Sequence, residues 1–449
     1  MAGGVQPVGH AGVGMGDHHT YAAVGPAHGV GTVHRGRPLA PVDRLFPDAH
    51  DDQVPVVRGS VVDEVDLTGV APDVLIAVEV VAEGRAYRAT ADPIALAAAL
   101  KLPADRLVQV AEFCRELADS AAIAVTASTG TAAPPDRDED FADCRVGGEL
   151  RRYSLAHAHA VLRQAPPGCV EFIRLGKVPT AKNGLAVHDA FFTDLGAVDN
   201  GAWLRRGLVE TSGTVVALLA ADDVDDAAAT LAELTGRPAR TLATEPEAAA
   251  WGARSTPGLP PDTMVCDIGG GTIDLIGSSR SVVAAGAGEA VTVAVAHVLG
   301  VPRALAEQVK RSPAVRVEGP HVAHEEDGRR VFLDAPAQSD AIGRLCTRGP
   351  AGLVPFSSRL AAEEWRSLRL AIKQETVAAN IARALRGFDR PPAALVLAGG
   401  GALDDELMRS VSEALRTVPV VVGRANVLGM HGPRFAVACG LVEMYAAGR

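Results

Sequence analysis

Asp267 and Asp274 bracket the run Ile268-Gly269-Gly270-Gly271-Thr272-Ile273, with apolar residues on either side. Apolar, glycine-rich, apolar is the pattern of a β-hairpin whose tip carries no side chains. Backbone N–H groups at such a tip can come close enough to hold a phosphate. Ionised aspartates only accept hydrogen bonds and would repel a naked phosphate, so the two acids fit that chemistry with a divalent cation between. No Gly-Lys-Ser/Thr follows, which excludes a P-loop. A plain turn needs one or two glycines, and three between two acids exceed that need.

A second run, Ala394 onward through Leu397-Ala398 into Gly399-Gly400-Gly401, ends a buried strand in another glycine triplet. Asp404, Asp405 and Glu406 then open a helix and complement its N-terminal dipole. Taken alone, glycines at a strand end are common. Two such elements in one α/β domain, separated by a long helix, point to a ligand lying between them. The reading expects the 269–271 bend to lie near the 399–401 turn across a cleft, and not to be buried.

The elements that position these residues follow from periodicity. Residues 215–219 form a strand and 222–235 a helix. A helix opens at Thr244-Glu245-Pro246-Glu247, with proline in its first turn and acids at the positive end of its dipole. The hairpin spans 263–277. A long helix covers 363–386, with Trp365, Leu368, Ile372, Ile381 and Leu385 spaced along one face. Arg366, Arg369 and Arg383 alternate with acids there and are expected on a solvated face. A short strand at 420–422, preceded by Pro419, and a helix at 433–447 close the chain.

At 449 residues the chain can bury two or three cores, and 48% hydrophobic with 22% charged residues is a soluble globular composition. The net charge of −11 argues against nucleic acid. No apolar stretch is long enough to span a bilayer. Cys114, Cys144, Cys169, Cys266, Cys346 and Cys439 include no C-x-x-C pair and are expected to be buried free thiols in a reducing, cytoplasmic setting. The start lacks the basic and apolar regions of a signal peptide. Residues 1–50 read as an irregular segment, where His18 and His19 match no standard metal site. Residues 51–127 read as a small α/β module, with strands at 61–65, 74–81 and 121–127 and a helix at 103–117. Residues 128–148 read as a linker and 149–449 as the main α/β domain.

Beyond the hairpin, several motifs resemble one family, the large subunit of diol and glycerol dehydratase reactivases. They include the Glu-Ala-Ala-Ala helix with Ser255-Thr256-Pro257-Gly258, Ala284-Ala285-Gly286-Ala287-Gly288-Glu289, and Leu305-Ala306-Glu307-Gln308-Val309-Lys310. Val317-Glu318, Leu353-Val354-Pro355, the run from Val396 to Asp404, and Gly423-Arg424-Ala425-Asn426 followed by Gly432-Pro433-Arg434 continue the match. It is dense from about residue 185 and patchier before it.

The resemblance implies an actin-like (ribonuclease-H-like) α/β ATPase domain carrying a small swivelling α/β domain. It implies ATP/ADP and Mg2+ as ligands. Gly269, Gly270, Gly271 and Thr272 would lie on the phosphates, Gly400 and Gly401 on the adenosine side, and Arg434 near the base or ribose. Asp267 and Asp274 would stand behind the Mg2+, while Asp51 and Asp63 match carboxylates that the swivelling domain offers to a divalent cation. The implied activity is that of a nucleotide-dependent chaperone. It releases damaged cobalamin from an adenosylcobalamin-dependent diol or glycerol dehydratase and works as a hetero-oligomer with a small reactivase subunit.

One departure stands out. The family's first phosphate loop, Asp-Ile-Gly-Asn-Ser/Ala-Ser/Thr-Thr, is not found, so the first lobe reads as incomplete and no catalytic residue is assigned. Unless the reading frame starts further upstream, nucleotide is expected to bind weakly and be hydrolysed little, since losing one donor to a developing charge costs roughly a hundredfold in rate. The alternative is a hydrolysis-deficient scaffold that binds a partner protein. A sugar or acetate kinase of the same superfold fits less well, because no acidic sugar-binding pair is seen.

Overall fold

The computed structural model describes residues 141–146, 149–175, 187–220, 243–349 and 352–447, short stretches at 22–24, 79–82, 85–88 and 123–128, and single helical positions at 109, 229 and 233. Strands β1 (Ala22–Val24), β2 (Glu79–Ala82) and β3 (Arg85–Arg88) form a three-stranded sheet in that order. Of the expected small module, β2 overlaps the strand read at 74–81. The strand read at 61–65, His18, His19, Asp51 and Asp63 lie outside the described residues.

A six-stranded antiparallel sheet follows. It contains β4 (Ile123–Ser128), β5 (Phe141–Val146), β6 (Glu149–Ser154), β7 (Val170–Leu175), β8 (Val187–Asp194) and β9 (Thr214–Ala220), in the order β4-β9-β8-β7-β5-β6. Helices α1 (Leu155–Gln164) and α2 (Leu195–Gly201) connect its strands. This corrects the sequence-based boundaries. Residues 123–127 were expected in the small module and 128 in the linker, yet all six pair with β9; residues 141–146 were expected in the linker, yet pair with β6 and β7. Pro- and acid-rich neighbours hid β5, whose apolar Phe141 and Ala142 are buried.

After α3 (Glu245–Arg254) comes the expected hairpin, β10 (Met264–Ile268) and β11 (Thr272–Ile276), then β12 (Ser281–Ala285), α4 (Gly288–Leu299) and α5 (Arg303–Arg311). All ten residues of β10 and β11 are buried, which explains their largely apolar character outside the two acids and Thr272. Strands β13 (Ala314–Gly319), β14 (Val322–Glu325), β15 (Arg330–Phe332), β16 (Leu345–Gly349) and β17 (Gly352–Ser357) build a separate antiparallel sheet. The chain then runs through α6 (Ala362–Lys373), a π-helical turn (Gln374–Ala378) and α7 (Ala379–Leu385). Strand β18 (Ala394–Ala398), helix α8 (Asp405–Ala414), strand β19 (Val421–Arg424) and helix α9 (Ala436–Ala446) complete it. The final helix, read from 433, starts with a 3-10 turn at Pro433–Phe435.

The central sheet has the order β12-β11-β10-β18-β19, with β10, β18 and β19 parallel. Side chains alternate between its faces. Cys266, Ile268 and Leu275 enter the main core with Val291 of α4 and Trp365 and Leu368 of α6. Val265, Ile276 and Val396 point the other way, against Ala249 of α3 and Cys439 of α9.

The long helix departs from expectation in its polar residues. Arg369 and Arg383 are 2% and 1% exposed, so they line no solvated face. Arg369 spans Glu326 and Glu406, and Arg383 is paired with Asp189. The alternation of arginines with acids reflected buried ion pairs to other elements, which periodicity along one helix cannot distinguish from surface charge. Cysteines 266, 346 and 439 are buried as expected, whereas Cys169 is exposed in the turn after α1. Among the described residues no single helix is long and apolar enough to cross a membrane.

Candidate functional site

The two glycine-rich runs meet. Because β10 and β18 are parallel neighbours with Asp267 opposite Ala398, the chain leaves both strands at the same edge of the sheet. In open α/β sheets that edge, outside the carboxyl ends of parallel strands, is where ligands bind. The contact is intimate. A Cβ on Gly399, whose φ is +79°, would lie 2.1 Å from Asp267 Oδ1, and one on Gly401 would lie 2.4 Å from Ile268 Cγ2. Only glycine lets the turn rest on the hairpin at these points. Gly399 N–H donates to Pro433 O at 3.0 Å, which brings Arg434 to the same edge. Arg434 is buried, with its guanidinium 5.8 Å from the Phe435 ring centroid.

The bend itself is held from one side. Gly288 N–H donates to Gly269 O at 3.2 Å, Glu289 N–H to Gly270 O at 2.6 Å, and Gly286 N–H to Gly271 O at 2.7 Å. The first amides of α4, which a helix leaves without internal partners, are thereby satisfied. In a trans peptide unit the C=O and N–H point in opposite directions, and the described residues contain no cis bond. Fixing these three carbonyls toward α4 therefore turns the N–H groups of Gly270, Gly271 and Thr272 to the opposite side. Among the described residues no protein acceptor takes the Gly270 or Gly271 N–H. Successive amides directed one way are the donor set of an anion nest. One expectation is corrected. Gly269, Gly270, Gly271 and Thr272 are buried, because α4 and the 399–401 turn pack over them.

Asp267 and Asp274 are cross-strand partners on the face that carries α3 and α9. Both are buried, and among the described residues Asp267 Oδ1 and Oδ2 and Asp274 Oδ1 have no hydrogen-bond partner. Burial pushes Asp267 up to about 7; burial, with the Asp267 charge added, pushes Asp274 up to about 8. Enclosed carboxylate oxygens without donors fit a cation in the vicinity. Among the described residues no three His, Cys, Asp or Glu side chains converge as a full ligand set. The pair therefore suits a cation that keeps its own waters, as Mg2+ does.

Sequence reasoning gave Glu245 only the role of complementing the helix dipole. Its neighbour Glu247 closes a capping box, accepting from Thr244 N–H at 2.9 Å and from the Thr244 hydroxyl at 2.8 Å. Glu245 is not needed for that cap. The residue is half-buried, but its Oε1 is enclosed, and burial followed by the charges of Asp274 and Asp267 raises its carboxyl well above the usual range. Three acids thus lie close enough beside the bend for their charges to act on one another. An acid left over after the capping box was the signal available in the sequence.

The family described as diol dehydratase reactivase ATPase-like domain matches residues 142–445. The propanediol dehydratase-reactivating factor large subunit of Salmonella typhimurium is 29% identical over 404 residues, covering 82% of this chain and 66% of that protein. The diol dehydratase-reactivating factor large subunit of Klebsiella michiganensis is 28% identical over 404 residues, with the same coverage of 82% and 66%. The chain thus spans about two thirds of the length of these relatives. A solved diol dehydratase-reactivating factor in nucleotide-free form matches with a TM-score of 0.58 at 20% identity, covering 96% of this chain and 86% of that one. A glycerol dehydratase reactivase structure matches with a TM-score of 0.57 at 20% identity, covering 97% and 86%. These likenesses establish the reactivase fold, in line with the expected α/β class.

Proposed function

The chain belongs to the diol dehydratase reactivase ATPase-like family, and from that premise we propose that it is the large-subunit component of a reactivating factor. It would act on an adenosylcobalamin-dependent diol or glycerol dehydratase, as a nucleotide-dependent chaperone that promotes release of damaged cobalamin. A small reactivase subunit and the dehydratase are its proposed partners in a hetero-oligomer, in a cytoplasmic setting. The names of the relatives, each a dehydratase-reactivating factor large subunit, support this reading.

The observation that carries the nucleotide part is the bend whose carbonyls are all held by residues 286–289. With its carbonyls held, the bend needs no reorganisation to offer Gly270, Gly271 and Thr272 N–H to a phosphate, and preorganised donors bind an anion at lower cost. Gly269 supports the nest from the strand side. Gly400 and Gly401 would flank the adenosine, and Arg434 the base or ribose. Asp267 and Asp274, joined by Glu245, would hold the water shell of a nucleotide-bound Mg2+. Asp51 and Asp63 are proposed to offer carboxylates to a second divalent cation.

Titration calorimetry with ADP and Mg2+ tests the site. The wild-type chain should bind with one-to-one stoichiometry, and Gly270→Asp should abolish binding by placing a carboxylate in the nest. Absence of wild-type binding at millimolar ADP would remove the nucleotide reading. The chaperone role is checked separately. A dehydratase holding cobalamin without its adenosyl group should regain activity when given this chain, the small subunit, ATP, Mg2+ and fresh adenosylcobalamin.

A further inference from the structure

Strand β12 lies at the edge of the central sheet, and its last residue, Ala285, turns its N–H and C=O outward from that edge. Buried edge groups of this kind need partners. Both are supplied by side chains from other elements. Asp189 of β8, in the six-stranded sheet, accepts from Ala285 N–H through Oδ2 at 2.8 Å. Asn380 of α7 donates through Nδ2 to Ala285 O at 2.7 Å and to Gly286 O at 2.8 Å. Arg383 joins the two. Its Nε donates to Asn380 Oδ1 at 2.9 Å, and its Nη1 and Nη2 donate to Asp189 at 3.0 and 2.6 Å. All three residues are buried, so the network is dry and its geometry is fixed.

The next bond leads to the bend, since Gly286 N–H donates to Gly271 O at 2.7 Å. Gly286 itself sits at φ +90°, and a Cβ there would lie 2.9 Å from Ala217 Cβ on β9. The six-stranded sheet therefore touches the phosphate-side backbone twice, once by packing and once through Asp189.

A separate feature agrees. The π-helical turn Gln374–Ala378 ends two residues before Asn380, and π-turns concentrate at functional sites. One extra residue in a helical turn rotates everything after it by about 100°. Before the turn, Arg369 and Lys373 face Glu406 of α8; after it, Asn380 and Arg383 face β12 and β8. The interruption lets one helix address both partners.

We propose that Asp189, Asn380 and Arg383 are positioning residues that couple occupancy of the 269–272 bend to the six-stranded sheet. The proposal rests on the nucleotide reading above. Because the network grips the carbonyl side of the bend, a shift of β8 moves the Gly271 carbonyl, and with it the N–H of Thr272. By reciprocity, a phosphate that fixes the N–H side stabilises one placement of β8.

Hydrogen exchange on the whole chain, with and without ADP and Mg2+, tests it. In wild type, ADP should slow exchange in 269–272 and also in β8 and β9. Asn380→Ala should weaken ADP binding about tenfold, within the usual span of coupling between sites, and leave β8 and β9 insensitive to ADP while the bend is still protected. If Asn380→Ala fails to fold by circular dichroism, the paired change Asp189→Leu with Arg383→Met replaces the ion pair by apolar groups and should give the same uncoupling. Wild-type affinity together with unchanged ADP protection of β8 and β9 in a folded variant would overturn the proposal. Wild-type chain that binds no ADP would instead overturn the nucleotide reading beneath it.

Discussion

Asp267 and Asp274 set the electrostatics of the bend, and their cost to the ligand-free chain is measurable. In the unfolded chain an aspartate ionises near pH 4, whereas the folded pair holds its protons to about 7 and about 8. The folded state therefore binds more protons between those limits. The stability this contributes is complete below pH 4 and is lost as pH rises toward 8. Asp274→Asn does not titrate. In a chelating buffer without nucleotide its unfolding free energy, read from denaturant melts, should match wild type at pH 4 and exceed it at pH 8 by about 2–4 kcal/mol. The same variant should bind ADP with Mg2+ more weakly. Opposite signs for stability and ligand affinity are the mark of acids kept for a cation, since a purely structural acid would lose both.

Among the elements, the crossing of α3 and α9 places the acids relative to the turn. A Cβ on Gly252 would lie 1.8 Å from Ala436 O, and one on Gly440 would lie 1.9 Å from Ala248 O. The two backbones touch, so neither position tolerates a methyl without separation of the helices. The α3 N-terminus carries Glu245, and the turn leading into α9 carries Arg434, so separation displaces both. Gly440→Ala should lower stability by about 1–3 kcal/mol or more, as overpacking does, and should also weaken nucleotide binding. Gly423→Ala on β19, where a Cβ meets nothing within 4 Å, serves as the control and should leave both unchanged. Differential scanning fluorimetry with and without ADP reads both effects.

At the scale of the molecule, Arg369 fastens the β13–β17 sheet to the nucleotide side. It donates to Glu326 at 2.7 and 2.8 Å, in the turn between β14 and β15, and to Glu406 at 2.6 and 2.7 Å, in the first turn of α8. Burial opposes the charge on Glu406, yet hydrogen bonds from Arg369 and the charge of Lys373 hold its carboxyl down to about 2. Arg369→Met leaves two acids without their shared partner and should destabilise by about 3–5 kcal/mol, as broken buried pairs do. The loss should shrink as pH falls from 4.5 toward 2, where Glu406 can protonate, and a pH series of thermal melts checks this. Limited proteolysis should then cut first in residues 314–357, the part this fastening holds.

Much of the hairpin site was written locally. Three glycines between two acids, a strand ending in a glycine triplet, and a proline in the first turn of α3 place a hairpin, a strand end and a helix start from short sequence alone. The motifs of residues 284–289 and 432–434 carried the family as well. Tertiary structure decided what local pattern could not express. That Glu245 feels the charges of Asp274 and Asp267 depends on which face of the central sheet α3 covers. That Arg369 and Arg383 are buried depends on acids roughly 40 and 190 residues away in sequence, Glu326, Glu406 and Asp189. That residues 123–128 and 141–146 belong to the six-stranded sheet depends on pairing with distant strands, because a strand's partner is chosen by register and burial and not by its own composition. The bend's chemistry is a property of short sequence, and its direction is a property of the helix and edge strand that hold its carbonyls.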